Sequence, residues 1–303
     1  MSFKELCDVA PGPTRRWPMT SQKTDEDRRS WYELRDGRRC VVPYLHPFSS
    51  YAKGRWVGRA VLDVMSEEFP HAGWSAAYLE EAAAAGRLTL NGRPAAVSDV
   101  FRDGDKFVHA VLRTEPSVPA APIAVLLCDD DLLAISKPAG LPVHHAGRYR
   151  RNTVVEVLQA DRPELQLSGN GGVHVLHRLD RQVSGVLLLP RSAAAASTLN
   201  AALRDGRMRK RYLARVHGEL QPGTVMTIAA PVGVHSAHGA TTAACDGNDG
   251  KPAQTLMRAL KYDAASSTSL VLCEPLTGRM HQIRLHLQRI GHPIANDTLY
   301  MEG

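Results

Sequence analysis

The sequence predicts an α+β protein of two domains, built from mixed, mainly antiparallel sheets with flanking helices. Its 303 residues are enough for about two domains. Apolar residues recur at helical spacing in some segments and alternate with polar residues in others, as amphipathic helices and half-buried strands require. The helical and strand segments follow one another irregularly, which distinguishes the chain from a doubly wound parallel fold.

The composition is that of an ordinary globular protein. Hydrophobic residues make up 44% and charged residues 22%, which excludes disorder over the whole chain. The five cysteines include no C-x-x-C pair, which argues against a zinc ribbon and a disulfide framework. No apolar run approaches the ~18 residues of a membrane span, so we expect no membrane contact and a cytoplasmic location, with nucleus and mitochondrion as alternatives. The net charge of +6 permits a polyanionic partner without requiring one.

Proline-rich stretches divide the chain into its predicted segments. The first 50 residues are interrupted by prolines and are expected to be irregular, although Trp17, Trp31 and Tyr32 indicate that part of this stretch packs. The predicted segments are an N-terminal extension (1–50), a first domain (51–115), a linker (116–122) and a second domain (123–303).

The first domain reads as two helices, a tight turn and a strand. Apolar spacing predicts a helix over 56–69, and an alanine-rich helix follows over 75–87, closed by Gly86. Asn91 and Gly92 indicate a hairpin turn, and residues 106–112 alternate as a strand.

The second domain reads as strands and helices in irregular alternation. Two strands surround an acidic turn within 124–140, and two further strands are expected at 173–179 and 185–190. The remaining segments are a helix that begins at Thr153 and ends before Pro163, a helix over 192–206, a strand that starts within 209–220, and two closing segments over 271–278 and 281–293.

Asp180 stands between two arginines, Arg178 and Arg181, where the predicted strand 173–179 runs into a polar turn. Neighbouring guanidinium groups favour the ionised carboxylate, and a carboxylate held rigidly at a loop is a candidate nucleophile. A surface salt-bridge turn is the alternative interpretation.

The segment 281–287 alternates polar and apolar residues. Read as a strand, it places Gln282, Arg284 and His286 on one face. A buried arginine needs an acidic partner, and Asp180 is the expected partner of Arg284. His281 and His286 would lie on opposite faces, so no metal site is expected here.

A basic run occupies residues 204–215, with six basic side chains against one acid. Backbone phosphates attract such a run, and a tyrosine within it, Tyr212, can stack on an unpaired base. We therefore take Arg207, Arg209 and Lys210 as candidate RNA contacts. A solvated helix end with Tyr212 in the core is the alternative.

Taken together, these segments resemble the RluA-type pseudouridine synthases. The matching motifs occur in order from about residue 123 to 300; they are SKPAGLPVH (136–144), HRLDRQVSG (177–185), KRY (210–212), TGRMHQIRLH (277–286) and GHPIAND (291–297). Residues 53–59 and 145–153 and the Glu115-Pro116 pair resemble the eukaryotic branch that modifies uridine 32 of the tRNA anticodon loop.

The resemblance implies a role for individual residues. Asp180 matches the catalytic aspartate, Tyr212 the tyrosine that stacks on the target base, and Arg284 the arginine that pairs with the aspartate. Arg178 matches the arginine that fills the space left by the flipped nucleotide. No metal, nucleotide or redox cofactor is implied, and the implied partner is an RNA substrate, tRNA before ribosomal RNA, with no obligate protein partner.

The unit 51–115 resembles an S4-type RNA-binding module, through residues 85–92 and 102–105. The resemblance makes Arg87 and Asn91 candidate RNA contacts, with a module that binds nothing as the alternative.

Several alternatives stay open at this point. The family usually continues beyond the segment that ends at Tyr300, so a C-terminal truncation at Gly303 is one of them. A non-catalytic RNA-binding protein on the same scaffold is another. A carboxylate-dependent glycosidase ranks last, because that chemistry usually needs a second carboxylate, and Asp297 is the only other acid in the matched segments.

Overall fold

A computed structural model describes residues 28–167, 173–237, 240–245 and 250–301. The chain divides into two compact units, the first comprising Met1–Cys128 with Leu133–Leu188 and the second Asp129–Leu132 with Leu189–Gly303.

Among its described residues, the first unit contains three small sheets and three α-helices. Its strands are β1 (Tyr32–Arg35), β2 (Arg38–Val41), β3 (Tyr44–Tyr51), β4 (Leu88–Leu90), β5 (Arg93–Pro94), β6 (Lys106–Arg113), β7 (Val118–Pro119), β8 (Ala124–Cys128), β9 (Leu132–Lys137) and β10 (Gly185–Pro190). Its helices are α1 (Val61–Glu68), α2 (Ala76–Ala84) and α3 (Val154–Asp161). The sheet orders are β1-β2-β7, β3-β6-β4-β5 and β10-β9-β8.

The predicted order of helix, helix, tight turn and strand is confirmed within 51–115. Helices α1 and α2 pack on the sheet β3-β6-β4-β5 around a buried core that includes Trp56, Leu79 and Phe101. Asn91 and Gly92 have φ values of 52° and 79°, the positive values that a type I′ hairpin turn requires at both positions.

The expectation that residues 1–50 are irregular is wrong for the part that the structure describes, because β1, β2 and most of β3 lie there. Strand β3 pairs with β6 along its whole length, from Tyr44 opposite Arg113 to Tyr51 opposite Lys106. Pro47 lies within β3, and a proline in the sequence argues against a strand. The structure places β3 at the edge of its sheet, where a residue without an N–H group is tolerated. Trp17 lies outside the described residues.

The strands predicted around the acidic turn are confirmed as the antiparallel pair β8 and β9. The strand predicted at 185–190 is confirmed as β10, whereas the strand predicted at 173–179 is wrong, because this segment has no regular secondary structure. One of its side chains interacts with β10 instead: the Leu188 N–H donates to the His177 ring nitrogen at 3.3 Å.

The second unit is built on one antiparallel sheet. Its elements are α4 (Ala193–Arg204), β11 (Tyr212–His217), β12 (Val225–Ala229), β13 (Gly233–Ala237), β14 (Ala240–Ala244), β15 (Gln254–Asp263), β16 (Thr268–Pro275) and α5 (Gln282–Arg289). The strand order is β11-β16-β15-β12, with β13 and β14 as a separate hairpin. The α+β class with antiparallel sheets is therefore confirmed. Among the described helices, none is long and apolar enough to cross a membrane.

The strand interpretation of 281–287 is wrong, because these residues begin helix α5. Gln282 and His286 are four residues apart, so they share one buried helix face, and both hydrogen-bond Thr255 Oγ1 at 2.9 Å. Arg284 therefore does not lie on a common strand face with them. Alternation over only seven residues fitted a strand and the start of an amphipathic helix equally well.

Candidate active site

Asp180 lies in a tight turn at the end of the irregular segment that precedes β10. The carbonyl of Asp180 accepts a hydrogen bond from the Val183 N–H at 3.0 Å, which closes the turn. Leu179 is buried and anchors the turn, whereas the flanking Arg178 and Arg181 are exposed. Asp180 itself is half-buried, and its role as the nucleophile stays a prediction.

The buried ammonium of Lys137 supports this turn. Lys137, at the end of β9, is fully buried, and its Nζ donates to the carbonyls of Pro138 (2.9 Å), Leu141 (2.7 Å) and Arg181 (3.2 Å). Burial lowers the pKa of Lys137 to about 8, and the Asp180 carboxylate acts in the opposite direction. Lys137 therefore holds the loop after β9 against the turn that carries Asp180 and supplies positive charge beside it.

Gly140 brings the same two segments together through the backbone. Its N–H donates to the Arg181 carbonyl at 2.7 Å, and its φ is +84°. A Cβ at this position would lie 2.8 Å from Cδ of Pro119, so only glycine fits. In the sequence, Lys137 and Gly140 stand out only as parts of the motif over 136–144. For Lys137 the available signal was a lysine at the end of a buried apolar strand.

A cleft of about 450 Å³ opens beside the Asp180 turn. Three arginines (Arg148, Arg178 and Arg181) line it, together with Tyr149 and His144. Burial and the nearby Arg178 guanidinium lower the pKa of His144, so the arginines supply the positive charge of the cleft at neutral pH. Such a surface attracts a phosphate backbone.

Glu115 fixes the loop that forms one wall of this cleft. Its buried carboxylate accepts hydrogen bonds from the N–H groups of Arg150, Arg151 and Asn152, at 2.9 to 3.1 Å, and from Tyr44 Oη at 2.7 Å. Burial pushes the pKa of Glu115 up, but these hydrogen bonds outweigh it and leave the pKa lowered.

The side chain of Arg151 joins the same wall to the N-terminal strands. Its guanidinium lies 4.2 Å from the ring centre of Trp31 and 3.6 Å from that of Tyr44. The Tyr32 hydroxyl donates to the Arg151 carbonyl at 2.7 Å. The prediction that Trp31 and Tyr32 pack is therefore confirmed.

In the second unit, Arg284 forms a two-point ion pair with Asp297. Arg284 Nε lies 2.6 Å from Asp297 Oδ2, and Nη2 lies 2.7 Å from Oδ1. The guanidinium also lies 4.7 Å from the ring centre of Tyr300, whose hydroxyl shares a 2.7 Å hydrogen bond with His281 Nδ1. Burial raises the pKa of Asp297, yet the hydrogen bonds from Arg284 and the Leu299 N–H outweigh it and lower the pKa overall. Asp297 is thus a partner of Arg284 within its own unit, and it was not predicted from the sequence. The expected pairing of Arg284 with Asp180 stays a prediction.

Tyr212 and the basic run occupy one connection of the second unit. Tyr212 begins β11, is half-buried and packs against the sheet core opposite Cys273. Arg207 and Arg209 are exposed between α4 and β11, and Arg207 pairs with Asp205 at 3.1 Å. Lys210 is half-buried, and burial lowers its pKa.

The two candidate contacts in the first domain have intramolecular partners. Arg87 pairs with Glu81 at 3.2 Å and donates to Tyr78 Oη. Asn91 donates to Asp105 at 2.7 Å and accepts from the Lys106 N–H at 2.9 Å, as expected of a residue that maintains a turn. RNA contact by either residue stays a prediction. Across the described ranges, no cluster of three or more His, Cys, Asp or Glu side chains could hold a metal ion.

Comparison with known proteins identifies the family. The family described as RNA pseudouridylate synthase matches residues 131–289, which include Asp180, Tyr212 and Arg284. The chain is 40% identical to pseudouridylate synthase RPUSD2 of Homo sapiens over 293 residues, which cover 96% of this chain and 51% of that protein. It is 38% identical to RNA pseudouridine synthase 7 of Arabidopsis thaliana over 288 residues, 93% of this chain and 69% of that protein.

A yeast relative carries a more specific name. The chain is 37% identical to the mitochondrial tRNA pseudouridine(32) synthase of Saccharomyces cerevisiae. The 266 matched residues cover 86% of this chain and 54% of that protein. The chain thus spans about half the length of the human and yeast relatives. The matched segment and these identities show that the chain belongs to the RluA-type family of RNA pseudouridine synthases.

Proposed function

We propose that this protein isomerises a specific uridine in RNA to pseudouridine, with Asp180 as the nucleophile. The observation that carries the proposal is the Asp180 turn. The buried ammonium of Lys137 donates to the carbonyl of Arg181, the next residue, and interacts electrostatically with the Asp180 carboxylate, inside the segment that matches the family. A carboxylate that the fold holds at a fixed place in a turn is a suitable nucleophile for attack on carbon.

The reaction rearranges bonds without changing composition. The N1–C1′ bond of the uridine breaks, the uracil ring turns, and C5 bonds to C1′. The C5 proton leaves and N1 takes up a proton, so atoms and electrons balance without an oxidant or a cofactor. Asp180 forms the transient bond that releases the ring and is regenerated when the new C–C bond forms.

Three further residues complete the proposed chemistry. Tyr212 stacks on the uracil and assists removal of the C5 proton. Arg178 occupies the place of the nucleotide that leaves the RNA stack. Arg284, whose guanidinium is oriented by its forked contact with Asp297, is the residue we propose as the charged partner of the catalytic aspartate.

The proposed substrate is a tRNA with its target uridine in the anticodon loop. The name of the yeast relative supports this choice, as do the sequence similarities at 53–59 and 145–153. The compact module within 51–115 is proposed to act as an S4-like domain that contacts phosphates. The proposed location is the cytoplasm; because the yeast relative is named mitochondrial, organellar RNA belongs in the test as well.

Carbodiimide sequencing tests the substrate directly. Total RNA from cells with and without the protein is treated with carbodiimide, which marks pseudouridine, and all tRNAs and ribosomal RNAs are sequenced. We expect one anticodon-loop signal to disappear without the protein and to return with the wild-type chain but not with Asp180→Asn. Loss of a ribosomal RNA signal alone would instead assign the activity to ribosomal RNA, and an unchanged profile would contradict the proposal.

The basic run provides a prediction about binding. Replacing Arg207, Arg209 and Lys210 with alanine should weaken RNA binding and flatten its salt dependence, because fewer counterions are released. The slope of log affinity against log salt should fall by about 0.7–0.9 for each lost phosphate contact. Titrations at several salt concentrations measure the slope, and an unchanged slope would show that the run does not contact phosphates.

Arg284 provides a prediction about geometry. Arg284→Lys keeps the charge but loses the two-point contact with Asp297, so kcat/KM should fall by about tenfold or more while the protein stays folded. Arg289→Lys, at an exposed position of the same helix, is the matched control and should retain activity within about twofold. Equal activity of the two variants would argue against a role for the forked geometry.

A further inference from the structure

The cleft beside the Asp180 turn has the size and surface of a nucleotide site. Its volume of about 450 Å³ falls within the ~300–1,000 Å³ of typical small-ligand sites. Its apolar floor is formed by Pro142, Val143 and Leu179, all of which are buried. No acidic side chain lines it among the described residues.

The rim of the cleft combines arginines with an aromatic ring. Arg181 Nη1 donates to the Tyr149 hydroxyl at 3.2 Å, and the Arg181 guanidinium lies 5.7 Å from the ring centre. These contacts hold the tyrosine in place beside two further exposed guanidinium groups, those of Arg148 and Arg178. An aromatic face next to basic side chains is the usual arrangement for stacking a base while contacting its phosphate.

The wall that carries Tyr149 is rigid before any ligand arrives. Ala146 and Tyr149 exchange two backbone hydrogen bonds, at 3.1 and 2.9 Å. Arg113 donates to the carbonyls of Gly147 and Arg148, and Glu115 accepts the next backbone N–H groups, from Arg150 onward. A preformed wall lowers the entropy cost of binding.

We propose that this cleft binds one nucleotide of the substrate RNA other than the uridine that is isomerised, with its base against Tyr149 and its phosphate beside Arg148 and Arg181. We assign the cleft to a nucleotide other than the reacting one because Leu179 and Arg181 line it, whereas Asp180 between them is not among its lining residues. The inference rests on the proposed function, since it assigns the second nucleotide to the same RNA. The site would make recognition depend on a base outside the reaction centre.

Coupled substitutions in protein and RNA test the site. Each loop nucleotide of an anticodon stem–loop RNA is replaced in turn by an abasic residue, and dissociation constants are measured for the wild-type chain, Tyr149→Phe and Tyr149→Ala. Tyr149→Ala should weaken binding about 5- to 100-fold, as loss of one stacked base does. Tyr149→Phe keeps the ring and should stay within about threefold. One abasic RNA should bind the wild-type chain as weakly as the intact RNA binds Tyr149→Ala, and its missing base should not be the one that is isomerised. Combining this abasic RNA with Tyr149→Ala should weaken binding little further.

Two results would overturn the inference. Tyr149→Ala, shown by thermal unfolding to be folded, could bind the intact RNA within twofold of the wild-type chain, or the coupled position could be the isomerised uridine itself. Tritium release from C5 of uridine, measured with the wild-type chain on the same intact RNA labelled at that position, separates this inference from the proposed function. Tritium release without coupling between Tyr149→Ala and an abasic position rejects the cleft as a nucleotide site and leaves the proposed function standing. Such coupling without tritium release rejects the proposed isomerisation and leaves the nucleotide site standing.

Discussion

Asp180→Asn is expected to lower the rate of pseudouridine formation by roughly three orders of magnitude or more, because an amide of the same shape cannot attack carbon as a carboxylate does. RNA affinity should stay within a few-fold of the wild-type value, since the phosphate and stacking contacts remain. Single-turnover tritium release measures the rate, and a filter-binding titration measures the affinity.

Two controls accompany this substitution. A thermal melt shows whether the variant is folded, because Lys137 would lose the neighbouring negative charge. Asp130→Asn makes the same chemical change at the exposed turn between β8 and β9 and should leave the rate within about twofold. Tritium release at the wild-type rate by folded Asp180→Asn would contradict the assignment of the nucleophile.

Glu115→Gln is expected to lower the free energy of unfolding by about 2–4 kcal/mol. The carboxylate accepts hydrogen bonds from three consecutive N–H groups and from the Tyr44 hydroxyl, whereas the amide group of glutamine has one acceptor oxygen and presents its own N–H groups to those donors. Urea unfolding measures the change. Glu81→Gln, which removes the exposed partner of Arg87, is the matched control and should change stability by less than about 1 kcal/mol.

The stability difference between the wild-type chain and Glu115→Gln is expected to depend on pH. The folded-state pKa of Glu115 is lowered, so its contribution to stability is present above the unfolded pKa of about 4.3 and is lost as pH falls through the folded value. The stability difference between wild type and Glu115→Gln should therefore be largest near neutral pH and shrink below about pH 4. A difference that is the same at pH 7 and pH 3 would contradict the role given to the charge.

Local patterns were sufficient for much of the fold. The pair β8 and β9, helix α3 and the Asn91-Gly92 turn each carry their signal within a few neighbouring residues, and all three were predicted. The strand predictions for 281–287 and 173–179 were wrong because a pattern of seven residues does not show whether a neighbouring strand is available for pairing. The strand β3 was missed because Pro47 is acceptable only at a sheet edge, a position that depends on the tertiary fold.

The residues of the candidate site likewise fall into those that could be identified from neighbouring residues and those that could not. The motif around Asp180 could be identified from consecutive residues, and the structure places that residue in the expected turn. The contacts of Glu115 could not be identified, because its partners lie 71 residues earlier and 35 to 37 residues later in the chain. Asp297 as the partner of Arg284 was missed for a related reason: the two-point pair depends on a helical α5, which the alternation did not reveal.

The most direct measurement of the central claim is tritium release by the purified wild-type chain from a tRNA transcript labelled at C5 of every uridine. The proposed isomerisation predicts that release stops at one tritium per RNA, that no free uracil appears, and that the RNA keeps its mass apart from the exchanged hydrogen. No release above the background of Asp180→Asn, with every candidate tRNA and ribosomal RNA supplied, would contradict the claim that this protein forms pseudouridine.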